Sequence, residues 1–294
     1  MRLLQPTSLI IILAILLPCS MIVAIALGAV NISIVDVFYS LFPFVDAISH
    51  TVNQAASSTQ SIIVSIRLPR VLLAAAIGAL LAASGAITQG LFRNPLADPS
   101  LIGVTAGASL GGSVMIFLLS GSTFLALATQ WLGGAFSIIA LISLGAFLGG
   151  LLAVYSVYTL ANNQYGTSVA TMLLAGIGIT ALASSMTSLL EFISDNELLR
   201  RISLWRMGGL DGADTFNVGI AWCMMVVMAV VLPRYSQGLN ALLLGESEAR
   251  HLGVNVESLK RRLIILVAAC VGISVALGGT ITFVGLVVPH IVRL

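Results

Sequence analysis

The chain has 294 residues, 59% of them hydrophobic and 8% charged, with a mean hydropathy of +1.10. A soluble domain carries about 25% charged residues, so the composition excludes a soluble protein on a single anchor and describes an all-α polytopic membrane protein with lipid as its surroundings. The formal net charge of +2 is too small to argue for a nucleic-acid partner.

Taken in order, the chain opens with Arg2 and an apolar run from Leu9 that resembles a signal peptide. The run continues to Val30, too long for a signal core. Pro18 before Cys19 fits a lipoprotein site poorly, so the segment reads as a retained first span. Hydropathy predicts spans at about 9–30, 71–92, 101–120, 132–160, 169–190, 216–232 and 263–282, and a further apolar stretch at 283–294. The connection from Asn31 to Ile66 reads as long and polar. The segment from Pro233 to Arg262 is the longest charged one.

The stretch Arg67–Pro99 organises the rest. Arg67 and Arg70 flank Leu68-Pro69. An uncharged run from Val71 to Phe92 is long enough to cross about 30 Å of hydrocarbon. Its many Ala, Gly and Ser residues suit close helix contact. Pro69 fits the first turn of that span. Gly107/Gly111 and Gly145/Gly149 have the spacing of close helix contacts and read as bundle packing. Gly85-Ala86-Ile87-Thr88-Gln89 is echoed by Gly279-Thr280-Ile281-Thr282-Phe283, in spans two and seven, which predicts an inverted repeat.

Lys/Arg bias should set the orientation. With the N-terminus inside, Arg2, Arg93, Arg234, Arg250, Lys260, Arg261 and Arg262 lie inside, and Arg67, Arg70, Arg200, Arg201, Arg206 and Arg293 outside. The near tie leaves the tight Lys260-Arg261-Arg262 cluster to place its loop in the cytoplasm.

The chemistry is mostly of absence. No P-loop, H-E-x-x-H or G-x-S-x-G motif occurs, so no nucleotide or hydrolase site is expected and the chain is not read as an enzyme. The span interiors hold almost no ionisable residue, against what ion coupling requires. Cys19, Cys223 and Cys270 lack metal-like spacing and read as small core residues. His50, His251 and His290 read as structural or solvent-facing, and neither a metal nor a cofactor is expected. Gly245–Gly253 should form a short helix. Glu246 and Glu248 suit its positive end, and Gly253 supplies the left-handed turn that stops it. Such a helix on a rigid bundle could dock in a partner's cleft.

RLPR at 67–70, SGAITQGLFRNPLADPSLIGVTAGASLG at 84–111, GESEARHLGV at 245–254 and GGTITFVGLVVPHIVRL at 278–294 resemble motifs of the permease subunits of ABC importers for iron chelates (siderophore, haem) and cobalamin. TMLLAGIGITAL at 171–182 and LRRISLWRMGGL at 199–210 resemble the haem branch most. The resemblance implies one transmembrane domain over residues 1–294 with a type II importer permease fold. About eight of an expected ten transmembrane helices are present, so the chain reads as C-terminally incomplete, either a fragment or a truncated copy. It implies a homodimer in the bacterial cytoplasmic (inner) membrane, an ATP-binding ABC subunit inside and an extracytoplasmic substrate-binding protein outside. Arg67 and Arg70 would pair with glutamates of the binding protein. Glu246, Glu248, Ala249, Arg250 and Gly253, within a coupling segment at about 240–262, would dock on the ATPase. The fifth span, about 169–190, would line the path. The alternatives are an ion-coupled secondary carrier and a truncated, non-transporting copy.

Overall fold

The structure, a computed structural model, describes residues 6–28, 30–41, 59–121, 138–163, 166–210 and 212–293. His50 lies outside them. The chain divides into two compact units, residues 1–75 with 213–219 and 294, and residues 76–212 with 220–293.

The first unit contains α1 (Pro6–Ala26), α2 (Ile34–Leu41) and the start of α3 (Leu68–Phe92), whose remainder belongs to the second unit. Its core is Ile25, Ala26, Ile32, Val37 and Ile63. The connection expected to be simply polar therefore carries a short helix. Val37 and Leu41 are one helical turn apart and both pack on this core, while Asp36 stays outside it. Averaged over the whole connection, that pattern vanishes.

Pro69 does not begin a helix. Helical structure runs continuously from Thr59 through Phe92. It passes through a π turn at Ile63–Arg67, in which the Leu68 N–H donates to the Ile63 carbonyl. Proline lacks an N–H and its ring crowds the carbonyl four residues back. The wider turn just before Pro69 accommodates both defects without ending the helix.

In the second unit follow α4 (Val104–Ser120), α5 (Ile138–Ala161), a small hairpin of β1 (Asn162–Asn163) and β2 (Gly166–Thr167), α6 (Val169–Ile193) and α7 (Asn196–Arg206). Then come α8 (Thr215–Val231, its first turn in the other unit), α9 (Ser236–Leu243), α10 (Glu246–His251), α11 (Val256–Gly278) and α12 (Val284–Arg293). Among the described residues, six helical segments are long and apolar enough to cross a membrane, and α4 and α12 are shorter apolar helices. The fold is an all-α polytopic one, as its composition requires.

The two GxxxG pairs pack on each other. A Cβ at Gly107 would lie 2.6 Å from the Gly149 carbonyl oxygen, and one at Gly111 would lie 2.2 Å from that of Gly145. Helices α4 and α5 therefore touch backbone to backbone. Cys270 is buried, whereas Cys19 and Cys223 are exposed on apolar helix surface, so only one of the three is a core residue.

Two expectations at the C-terminal end are corrected. The echo at 279–283 is not part of a span. Helix α11 ends at Gly278, and Gly279 (φ +69) and Phe283 (φ +67) turn the chain through the left-handed region before α12 starts. The segment is apolar and Gly-rich, so hydropathy alone could not separate it from a helix. Arg293 was also assigned to the wrong end. Beyond the break α12 runs alongside the second half of α3. A Cβ at Gly85 would overlap the Gly285 carbonyl oxygen at 1.7 Å, and the Arg293 guanidinium donates to Gln89 Oε1 at 2.7 Å. Arg293 shares a cavity with Arg93 and Asn94, so the two arginines lie at the same end rather than at opposite ends. If the N-terminus is inside, the Lys/Arg count becomes eight against five instead of seven against six.

Candidate functional site

Three places hold the polar side chains that matter. The first is the start of α3. The Arg67 guanidinium is not a free fork. Nη1 donates to the carbonyls of Ile25 at 2.6 Å and Ala26 at 3.0 Å, and Nη2 donates to that of Val30. Ile25 and Ala26 end α1, where carbonyls lack partners within the helix and the helix end is negative, so a cation there is doubly favoured. The guanidinium passes so close to Gly28 that a Cβ would stand 2.8 Å from Nη2. Arg70, three residues on, is exposed.

The second place is a cavity of about 530 Å³ in the second unit. One face of α6 supplies Gly176, Thr180, Ser184 and Thr187 at helical spacing. Helix α4 adds Thr105 and Ser109, and the break after α11 adds Thr280 and Thr282. None of the lining residues is acidic. Its one cation, Arg206, is paired with Glu191 at 2.5 Å. The break is held in place from the same side. Gly209 N–H donates to the Gly278 carbonyl at 3.1 Å, and the Thr280 hydroxyl donates to the Arg206 carbonyl. The cavity can therefore offer hydroxyl donors and acceptors, and its lining holds no carboxylate.

The third place is the charged segment between α8 and α11. Helix α10 forms where the sequence predicted it. Gly253 has φ +83, and its N–H donates to the Arg250 carbonyl at 2.9 Å while Val254 N–H donates to that of Ala249 at 3.0 Å. Those two bonds are a complete Schellman stop. Ala249 is fully buried and fastens one face, while Glu248, Arg250 and His251 are exposed on the other. Leu244 at 69% and Leu252 at 65% exposure extend that outer face with apolar surface.

Beneath α10 lies a feature that sequence reasoning missed. Lys260 is buried at 2% exposure, while its neighbours Arg261 and Arg262 are exposed. Its ammonium donates to Glu246 Oε1 at 2.7 Å and to the Thr167 carbonyl at 2.7 Å. In the sequence Lys260-Arg261-Arg262 reads as one tight basic cluster, and the fold splits it. The cavity was more legible: the hydroxyl series Thr180, Ser184 and Thr187 has the spacing of one helix face. Arg67 and Arg70 belong to the first unit and the α10 residues to the second. Among the described residues no group of His, Cys, Asp and Glu is arranged to hold a metal.

The sequence matches the FecCD transport family over residues 12–294. The chain belongs to that family. It is 42% identical to the hemin transport system permease protein HmuU of Yersinia pestis over 231 residues, which are 78% of this chain and 65% of that protein. It is 39% identical to the cobalamin import system permease protein BtuC of Halobacterium salinarum over 237 residues, 81% of this chain and 60% of that one. The match thus spans less than two thirds of either relative's length. Among solved structures it is similar to an ABC transporter in an inward-facing conformation, described as of the metal-chelate type, with a TM-score of 0.78 and 30% identity over 97% of this chain and 80% of the other. In this FecCD chain four of the resembling segments include structural junctions: the π turn into α3, the α3–α4 connection, α10, and the break before α12.

Proposed function

We propose that this chain is the transmembrane permease subunit of an ATP-driven importer for a metal chelate, haem first and a ferric siderophore or cobalamin second. It forms one permease domain and works as a homodimer in the bacterial inner membrane, with an ATP-binding subunit on the inner side and a substrate-binding protein on the outer side. Transport is by alternating access along the hydroxyl-lined face of α6. ATP is hydrolysed by the partner subunit. Arg70 pairs with a carboxylate of the binding protein, and Arg67 holds the platform beside it by fastening the end of α1. Glu246, Glu248, Ala249, Arg250 and Gly253 form the helix that docks on the ATPase.

The observation that carries this reading is α10, a short helix capped at its end, fastened by buried Ala249 and presenting Glu248, Arg250 and Leu252 outward. A free linker would need neither the cap nor the anchor. The deciding experiment is haem uptake into vesicles that hold the chain with its ATPase and binding protein. Uptake is expected to require ATP and to survive an ionophore. Uptake that ignores ATP depletion and collapses with the ionophore would make the chain an ion-driven carrier. Arg70→Glu is expected to weaken binding-protein docking while ATP hydrolysis persists; normal docking would remove Arg70 from the outer site.

A further inference from the structure

Lys260 is the only buried charged side chain among the described residues. An ammonium has three donors and no acceptor, and when buried it must find oxygen for them. Here the oxygens come from separate elements. Glu246 of α10 lies at 2.7 Å, the Thr167 carbonyl of the β-hairpin at 2.7 Å, and Glu257 of α11 at 3.9 Å. Glu257 grips the same hairpin residue from its other side, because Thr167 N–H donates to Glu257 Oε2 at 2.9 Å. The hairpin passes beside that carboxylate at Gly166 (φ +108), where a Cβ would stand 2.4 Å from Glu257 Oε1.

Thr167 directly precedes Ser168, the cap of α6, whose hydroxyl accepts from Thr171 N–H at 3.3 Å. Helix α6 carries Thr180, Ser184 and Thr187 into the cavity. One ammonium therefore joins the exposed α10 to the first turn of the cavity-lining helix. Separating α10 would leave the buried ammonium without its nearest anion, and separating the hairpin would leave one of its donors without an acceptor, so the joined segments move together rather than apart.

We infer that Lys260 is the positioning residue that carries a displacement of α10 to α6, so that events at the inner surface reach the cavity. This deepens the proposed function and rests on α10 being the ATPase dock. The test uses the full chain with its ATPase and binding protein in vesicles, and compares wild type with Lys260→Met, which keeps the length and loses the charge. ATP hydrolysis is expected to stay within about two-fold of wild type while haem imported per ATP falls roughly ten-fold, the scale of an ordinary coupling energy. Lys260→Arg, which keeps the charge, recovers most of the ratio. A wild-type ratio in Lys260→Met overturns the inference. So does a fall of hydrolysis and uptake by the same factor, which makes Lys260 part of the dock or of the fold. If Lys260→Met is not recovered folded, Glu257→Gln loosens the same hairpin and is read by the same ratio. If wild type itself shows no ATP-dependent import, the proposed function fails. The tie is then read in the permease alone, by amide exchange over Thr167 to Met172, where unchanged protection in Lys260→Met overturns it.

Discussion

Two assemblies in the second unit are joined by different means. Helices α4 and α5 meet through bare backbone at Gly107, Gly111, Gly145 and Gly149. The inner segment meets through charge, with Lys260 between α10, the hairpin and α11. Shape contact of the first kind has one solution: a few tenths of an ångström lost at the glycines removes it. Ion contact of the second kind is just as specific in its partners, yet its oxygens sit on three segments that can be carried together. The first joins two apolar helices, and the second joins a surface helix to the residue before the cap of α6.

The largest expected effect breaks the shape contact. Gly107→Leu forces a side chain into the Gly149 backbone and should destabilise the protein by about 3 kcal/mol, read as a lowered unfolding midpoint in detergent. An unchanged midpoint would mean that α4 and α5 are free to separate. Next is Glu246→Ala, which removes the nearest anion from a buried ammonium. The Thr167 carbonyl remains, and Glu246 is itself part-exposed, so about 2 kcal/mol is expected by the same measurement. A loss no larger than that of Glu248→Ala would show that the ion tie carries no stability. Gly253→Ala should cost about 1 kcal/mol, because φ +83 is strained for any side chain although space around it is open. Its effect should appear as faster amide exchange confined to α10, and exchange spreading into α4 would contradict the separation of the two assemblies. Smallest is Thr180→Val in the cavity, expected to shift stability by less than about 0.5 kcal/mol, since a hydroxyl facing the cavity loses no buried partner. Its readout is the rate of uptake, and a large fall in stability would mean that Thr180 is tied into the packing.

Most helices were legible because long apolar runs must bury their backbone polar groups internally. What hydropathy could not place were positions decided by distant partners. Helix α11 starts at Val256 rather than near 263, and its buried Lys260 is neutralised by Glu246 and accepted by the Thr167 carbonyl, both from elsewhere in the chain. The π turn before Pro69 adds a residue to a helix that a proline was expected to begin. The break at 279–283 is set by two left-handed residues, one of them a phenylalanine, which no local preference foretells. At the candidate site the helix at 246–251 was read correctly from its glycine stop and acidic start. Arg67 was read as an outward charge, although its guanidinium closes the end of α1.

The hydroxyls of the cavity have a consequence for selectivity. A hydroxyl both gives and accepts a hydrogen bond, and each bond merely replaces one that water already offered. Two of these hydroxyls already donate inside the protein, Thr187 to the Ala183 carbonyl and Thr280 to that of Arg206. A wall of this kind discriminates among solutes by size and shape more than by charge.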